Sequence, residues 1–459
     1  MIPIVTPEEM GVIDRAAPET GEVLIGRAAA VVARHALDLM GGGYGRRVAV
    51  IAGKGNNGND GRVAATMLRR RGVRVQVIDA AAAPRRLPGC DLVVDAAYGT
   101  GFRGEYEPPE LARDTTPVLA VDIPSGVSGL TGEAGGHPLP AARTVTFAAL
   151  KPGLLLADGP AAAGELVVAD IGLDTSSARA HLVEAGDVAG WLPERPRSTH
   201  KWKSAVWLVA GSPGMTGSAH LATRAAQRAG AGYVRLSSPG AGFDPFAPTE
   251  AVGVELPQDG WAGKVLDGLD RFAALAVGPG LGTAESTQQQ IRNVVRSADT
   301  ATVVDGDGLT AMAAGDGPAA VIGARPDGVG TVVLTPHDGE LAKLLGRQPG
   351  PDRLAEAREL SARTGAVVLL KGSTTVVADP DGNVLVTNTG DARLATAGTG
   401  DVLTGTIAAL LASGVPALRA AAAGAFLHGR AGALSWRRGL VAGDVAECLP
   451  GAIAELPEA

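Results

Sequence analysis

The sequence predicts an α/β protein of two domains, the first a Rossmann-like doubly wound sheet. Three observations carry that reading: a length of 459 residues, a composition 46% hydrophobic but only 3% aromatic, and short aliphatic runs alternating with helical stretches. A chain this long exceeds what one hydrophobic core organises. With so few aromatics the core must be built from Ala, Val, Leu and Ile, which suits sheets covered by helices better than an aromatic-rich sandwich. Charged residues at 19% fit a folded rather than a disordered chain.

Taken in order, residues 24–39 place Leu24, Ala28, Val31, Val32, Ala36 and Leu39 on one helical face. Apolar strands are expected at Val48–Ile51, Val73–Ile78, Leu92–Val94, Val118–Val121 and Val145–Phe147, with a helix over Arg62–Arg71 and an edge strand at Leu166–Ile171. Fully apolar short strands alternating with helices read as a buried parallel sheet. The segment Leu192–Arg197 is rich in proline and charge and marks a linker, so the domain boundary is expected near 180–200. A second alternation runs through Val206–Val209, Leu275–Val277, Thr302–Val304, Val332–Leu334 and Val367–Leu370. Helices are expected near 218–229, 284–297, 338–345 and 352–363, and again over Val402–Leu411 and Leu418–Leu434.

The net charge of −7 disfavours a general nucleic-acid binder, which needs a basic face. Cys90 and Cys448 have no metal-ligand spacing and point to a reducing compartment. No run reaches the ~18 apolar residues that span a bilayer, and the acidic start does not read as a signal peptide. A cytoplasmic location without membrane contact follows as the expectation.

Strand Val48–Ile51 leads into Gly53-Lys-Gly55-Asn-Asn-Gly58, a G-x-G-x-x-G pattern, with Asp79 about where a ribose-binding acid belongs. In a chain with 65 glycines that pattern arises roughly once by chance. Its filling is unusual for a dinucleotide fingerprint. Asn56, Asn57, Asn59 and Asp60 bring oxygen donors that suit a hard cation or a polyhydroxylated ligand; the plain alternative is turn formation and helix capping. Two further strand ends, DAAYGTGF from Asp95 and VDIPSG around Asp122, are also polar and glycine-rich. In open α/β sheets ligands gather outside the carboxyl ends of strands, so three such ends in succession make a site.

GKGNNGNDG, DAAYGTGFRG and VDIPSG, in that order, resemble the NAD(P)H-hydrate epimerase domain, over residues 1–178. The resemblance implies that Asn56, Asn57, Gly58, Asn59 and Asp60 hold the hydrated nicotinamide nucleotide. Gly99, Thr100, Gly101, Phe102, Arg103, Gly104, Glu105 and Asp122 are implied with them. It implies K⁺ ligands at Asn57, Asp95 and Ser125, all oxygen donors. Asn59 stands where that family usually has glycine, and Lys54 where proline is common. Epimerisation must invert a hydroxyl-bearing carbon beside the ring nitrogen, and Asp122 is the expected general acid/base.

In the second half no G-x-x-x-x-G-K-[ST] occurs, which excludes a P-loop enzyme. Instead there are GSPGMTG at 211–217, GPGLG at 278–282, TPHDGE at 335–340, KGSTT at 371–375 and AGTGD at 397–401. GTGD before an apolar helix puts free N–H groups where a phosphate binds and an aspartate where it can take a proton; the plain alternative is an N-cap. This ensemble resembles the ribokinase-like superfamily, and within it the ADP-dependent NAD(P)H-hydrate dehydratase, over 179–459. That implies a ribokinase-like α/β fold, hydrate contacts at Ala219, Gly280, Gly282, His337 and Asp401, and ADP contacts at Lys371, Gly372, Ser373, Thr374, Thr375 and Gly400. Asp401 would deprotonate the hydrate's hydroxyl, which takes the β-phosphoryl group of ADP with Mg²⁺ bridging nucleotide oxygens, and loss of phosphate would restore the double bond.

The expected function is therefore repair of hydrated NADH and NADPH, with ADP as co-substrate; a homo-oligomer is compatible with the sequence. Three rivals stand beside it: a ribokinase-like kinase of a vitamin precursor fused to a nucleotide-binding module, a first half that is a non-catalytic nucleotide-binding or protein-interaction module, and a plain NAD-dependent dehydrogenase. Trp202 and Trp207 are expected to be packing residues.

Overall fold

A computed structural model describes residues 1–326 and 328–458. The chain divides into two compact units, Ile2–Ala180 and the residues from His181 onward. Among the described residues no helix is long and apolar enough to cross a membrane.

The first unit has helices α1 (Pro7–Ala16), α2 (Gly21–Leu39), α3 (Asn56–Arg70) and the short α4 (Gly159–Ala163). Its central sheet is built from β1 (Arg47–Ala52), β2 (Arg74–Asp79), β3 (Leu92–Ala96), β4 (Val118–Val121), β5 (Arg143–Phe147) and β6 (Glu165–Ala169). They form one sheet in the order β2-β1-β3-β4-β5-β6, every pair parallel. The order reverses between β1 and β3, so a crevice opens beyond their carboxyl ends. Side chains alternate across β1: Val48, Val50 and Ala52 join Val32, Ala36 and Leu68 under α2 and α3, and Ala49 and Ile51 join Val93 and Tyr106 on the other face. Helix α3 starts at Asn56, six residues before the expected Arg62, because the asparagine-rich turn is itself its first turn. Helix α1 was not expected. Its signal is the Thr6–Glu9 capping box with proline at the first helical position.

The second unit contains strands β7 (Ala205–Val209), β8 (Tyr233–Ser237), β9 (Val252–Gly253), β10 (Ala274–Val277), β11 (Ala301–Val304), β12 (Val332–Leu334), β13 (Val367–Leu370), β14 (Thr375–Ala378) and β15 (Val384–Thr387). They lie in the order β15-β14-β13-β12-β11-β10-β7-β8-β9, parallel except for the antiparallel β13–β14–β15 run. Its helices are α5 (Ala185–Trp191), α6 (Gly217–Arg228), α7 (Trp261–Leu266), α8 (Glu285–Ser297), α9 (Asp307–Ala313), α10 (Gly317–Gly323), α11 (Asp338–Leu345), α12 (Arg353–Thr364), α13 (Thr399–Ala412), α14 (Ala417–Leu434) and α15 (Ala442–Ala454), and the site depends on α6, α11, α13 and α14. Helix α13 is buried nearly all round, as its unbroken apolar sequence requires. It packs in one core with α6, α14 and the central strands. Trp207 is 2% exposed, and Trp202 stacks on Tyr233 at 4.3 Å between ring centroids, so both tryptophans pack as expected.

Candidate active sites

A cavity of about 590 Å³ opens in the first unit, lined from α1 and α2, the β1–α3 turn, the ends of β3 and β4, and Lys151. Only glycine fits where the β1–α3 turn closes on the β3 end: a Cβ on Gly53 would stand 1.8 Å from the Ala97 carbonyl oxygen. That close approach brings the asparagine turn beside the β3 loop. Of the expected residues, Asn56, Asn57, Asp60, Gly99, Thr100, Gly101, Phe102 and Asp122 line the cavity, whereas Gly58, Asn59, Arg103, Gly104 and Glu105 are not on its wall.

Behind the wall lies a network of oxygen donors. Ser125 donates from Oγ to Asp95 Oδ1 at 2.6 Å and from its backbone N–H to Oδ2 at 2.9 Å. The Tyr98 N–H donates to Ser125 Oγ at 2.9 Å, and Asn57 Nδ2 donates to the Tyr98 carbonyl at 2.9 Å. Asn57 Oδ1 is buried without a hydrogen-bond partner. An orphaned amide oxygen beside a carboxylate, a hydroxyl and a carbonyl is a donor set that fits a hard monovalent cation. Asn57, Asp95 and Ser125 are thus brought together.

Lys151, which sequence reasoning did not single out, is 1% exposed. Its ammonium donates to Asp122 Oδ1 at 2.7 Å, to Thr146 Oγ1 at 2.9 Å and to the Phe147 and Ala149 carbonyls at 3.0 and 3.2 Å. Asp122 itself sits in the left-handed region at φ +67°, held by its N–H to the Val145 carbonyl at 2.7 Å. Three more carboxyls line the same cavity, Asp60 from α3, Asp14 from α1 and Glu19 just before α2. Burial, then the negative charges of Asp122 and Asp14, push Asp60 up to about 8. Burial raises Asp14 too, with Lys151 opposing. Asp79 is elsewhere engaged: its carboxylate accepts from the Ala81 N–H at 2.9 Å and caps a short turn. It does not line the cavity, which counts against the dehydrogenase reading.

In the second unit a cavity of about 700 Å³ is lined by Lys371, Gly372, Ser373, Thr375, Gly400 and His337. Thr374 is buried and off that wall. Asp305, also missed in the sequence, ends β11 and is 3% exposed. It accepts from Lys371 Nζ at 2.7 Å, Thr335 Oγ1 at 2.8 Å and Thr404 Oγ1 at 2.8 Å. Burial opposes its charge, but Lys371 and the two hydroxyls hold it below the usual carboxylate range. Burial likewise lowers the Lys371 ammonium, and Asp305 and Glu340 more than reverse that.

Gly398, at φ +91°, is the N-cap of α13, so Asp401 lies inside the first turn and is not the cap. Burial and the charge of Asp305 push Asp401 up to about 6, against a hydrogen bond from Ser218 and the charge of Lys371. Ser218 is also close to Gly280, where a Cβ would stand 3.1 Å from its Oγ, and the Ala219 Cβ backs onto Gly211. The Gly282 N–H donates to Asp307 at 2.8 Å. His337 caps α11, accepting on Nδ1 from the Gly339 and Glu340 N–H groups at 3.0 and 3.3 Å, while facing the same cavity as the lysine loop. His428 on α14 lines that cavity with Nε2 unpartnered, and burial pushes it down to about 4. Among the described residues no group of His, Cys, Asp and Glu side chains forms a metal cage.

Residues 206–450 match the family model described as NAD(P)H-hydrate dehydratase, and residues 21–88 and 79–153 match that of the YjeF-related protein N-terminus. A bifunctional NAD(P)H-hydrate repair enzyme of Moorella thermoacetica is 36% identical across 99% of this chain and 97% of its own. Among solved structures, an ADP/ATP-dependent NAD(P)H-hydrate dehydratase from Bacillus subtilis, co-crystallised with ATP and Mg²⁺, aligns at a TM-score of 0.52 and 30% identity, over 60% of this chain and 98% of that one. A ribokinase-like superfamily protein from Enterococcus faecalis aligns at a TM-score of 0.52 and 22% identity over 61% of this chain and 97% of that one, which is a likeness of fold.

Proposed function

Because the chain belongs to the family of bifunctional NAD(P)H-hydrate repair enzymes, we infer that it restores hydrated NADH and NADPH by two activities. The R and S hydrates are interconverted, and the S hydrate is dehydrated at the expense of an adenine nucleotide. We assign epimerisation to residues 1–178 and ADP-dependent dehydration to residues 179–459. The observation that carries this reading is Asp401, half-buried in the first turn of α13, next to a cavity lined by Lys371 and Gly400.

For dehydration, the first-turn N–H groups of α13 and the Lys371 ammonium supply positive charge for the nucleotide phosphates. Asp401 takes the proton of the hydrate's hydroxyl as its oxygen attacks the β-phosphorus of ADP and AMP leaves. The C–O bond then breaks with phosphate as leaving group, the ring nitrogen's lone pair assists, and a proton leaves the neighbouring carbon. Ala219, Gly280 and Gly282 form the backbone wall for the hydrate, with His337 beside the nucleotide. Mg²⁺, held by the nucleotide's own oxygens, would supply charge neutralisation there.

For epimerisation, Asp122 acts at the hydroxyl-bearing carbon, with the β1–α3 and β3 turns holding the nucleotide. K⁺ would be held by Asn57, Asp95 and Ser125, where it supplies charge that orders these loops. The orphaned Asn57 oxygen supports that assignment.

The test is incubation with both hydrate epimers, with and without ADP and K⁺. Recovery of the dihydronicotinamide absorbance from the whole mixture requires both activities; recovery of half, with ADP present, removes the epimerase. ATP-dependent phosphorylation of a hydroxymethylpyrimidine, with no recovery of cofactor, would favour the kinase reading instead.

A further inference from the structure

We propose that Asp60 and Asp122 share one catalytic proton in the first cavity, Asp60 protonating the hydroxyl that leaves while Asp122 takes a proton from the water that adds. The proposal rests on the assignment of epimerisation to this cavity and of Asp122 to its chemistry.

Inversion breaks a carbon–oxygen bond on one face of the ring and makes another on the opposite face. Hydroxide is a poor leaving group, so the departing oxygen needs a proton, and the incoming water must lose one. One proton enters and one leaves, so the balance closes without a further reactant. A single carboxyl fixed on one side of the ring cannot serve both faces, whereas two carboxyls on different elements can.

The cavity holds such a pair in contrasting surroundings. Asp60 enters from α3 and Asp122 from the end of β4. Asp122 is in an ion pair with the buried Lys151 at 2.7 Å. Asp60 is 7% exposed and in no ion pair among the described residues. The other charged side chains on the wall are Asp14, Glu19, Lys54 and Lys151. Burial and the neighbouring carboxylates hold Asp60 up at about 8, so it carries a proton in neutral solution. After one turnover the proton rests on Asp122 and Asp60 is ionised, which is the starting state for the reverse reaction. Both directions therefore need the same single shared proton.

The experiment measures epimerisation in both directions on the full chain, from about pH 6 to about pH 9, for the natural protein, Asp60→Asn and Asp122→Asn. The natural protein is expected to lose rate above about pH 8 as the shared proton is lost. Asp60→Asn is expected to lose ~10²–10⁴-fold in kcat in both directions. Asparagine keeps the shape and the hydrogen-bonding capacity of the protonated acid, so a residue that only binds substrate would survive the change. An Asp60→Asn protein within ~10-fold of natural kcat while Asp122→Asn is inactive would overturn the shared proton and leave Asp122 in place. An active Asp122→Asn protein would sink the underlying assignment instead. Asparagine removes a buried acid whose charge the site opposes, so Asp60→Asn is expected to melt no lower than the natural chain. Should it not fold, the natural pH profile decides: no decline up to about pH 9 overturns the proposal.

Discussion

Both units pair a lysine with an aspartate at 2.7 Å, and the two pairs face opposite ways. In the first, the lysine side chain is 1% exposed and Asp122 16%, so the anion looks into the cavity. In the second, the aspartate is 4% exposed and Lys371 21%, so the cation does. The same ion pair thus turns a carboxylate toward one cavity and an ammonium toward the other, which the proposed function uses for proton transfer and for phosphate. What a site offers its ligand is decided by which partner the packing hides.

The largest expected effect separates the two activities. Asp401→Asn should lower dehydration of the S hydrate by ~10²–10⁴-fold, read as recovery of dihydronicotinamide absorbance with ADP, and leave epimerisation at its natural rate. Retained dehydration would remove Asp401 from its role.

Stability sharpens the comparison next. Lys371→Met strands the buried Asp305 charge and should cost about 3–5 kcal/mol in denaturant melts, together with lost nucleotide affinity. Lys151→Met leaves Asp122 in contact with the cavity, where water can solvate it, and should cost about 1–3 kcal/mol. The reverse order would show that exposure does not govern these pairs.

The pH dependence should split as well. With Asp401 as the proposed base, which works ionised, dehydration should climb as pH rises through about 6. Its raised pKa also means that the native chain holds this proton more tightly than the unfolded chain does. Its ionisation therefore withdraws stability between the usual carboxylate range and about pH 6. Epimerisation should instead fall above about pH 8, where Asp60 ionises. Parallel profiles for the two activities would contradict the opposed roles.

The smallest effect is expected at Asn59, which is off the cavity wall. Asn59→Ala should change stability by less than ~0.5 kcal/mol and leave both activities unchanged, despite the place of this residue in the asparagine turn.

The glycine-rich strand ends were legible in the sequence because turns of that kind occur where ligands meet a parallel sheet; of the residues they singled out, Asn57, Asp122 and Lys371 line cavities, whereas Asp95 and Asp401 are not on those walls. Lys151, Asp14, Asp305 and His428 were not, because each is a lone residue whose role comes from a partner distant in the chain. Asp305 and Lys371 are 66 positions apart and meet only when β11 and β13 enter one sheet. The β14–β15 hairpin was missed although Asp381-Gly382 marks its turn, and β8 was hidden by Arg235, which interrupts its apolar run. Arg103, Gly104 and Glu105 came with the GTGF turn as a block, and the chain turns away from the cavity after Phe102.

The left-handed backbone at Asp122 has a consequence for variation at that position. A saturation library there would be sorted by backbone tolerance before any chemistry is tested. Glycine, asparagine and aspartate accept that conformation, and β-branched residues pay steeply for it. Survivors of a screen for soluble protein should therefore cluster in those three residue types, even among clones selected without regard to turnover.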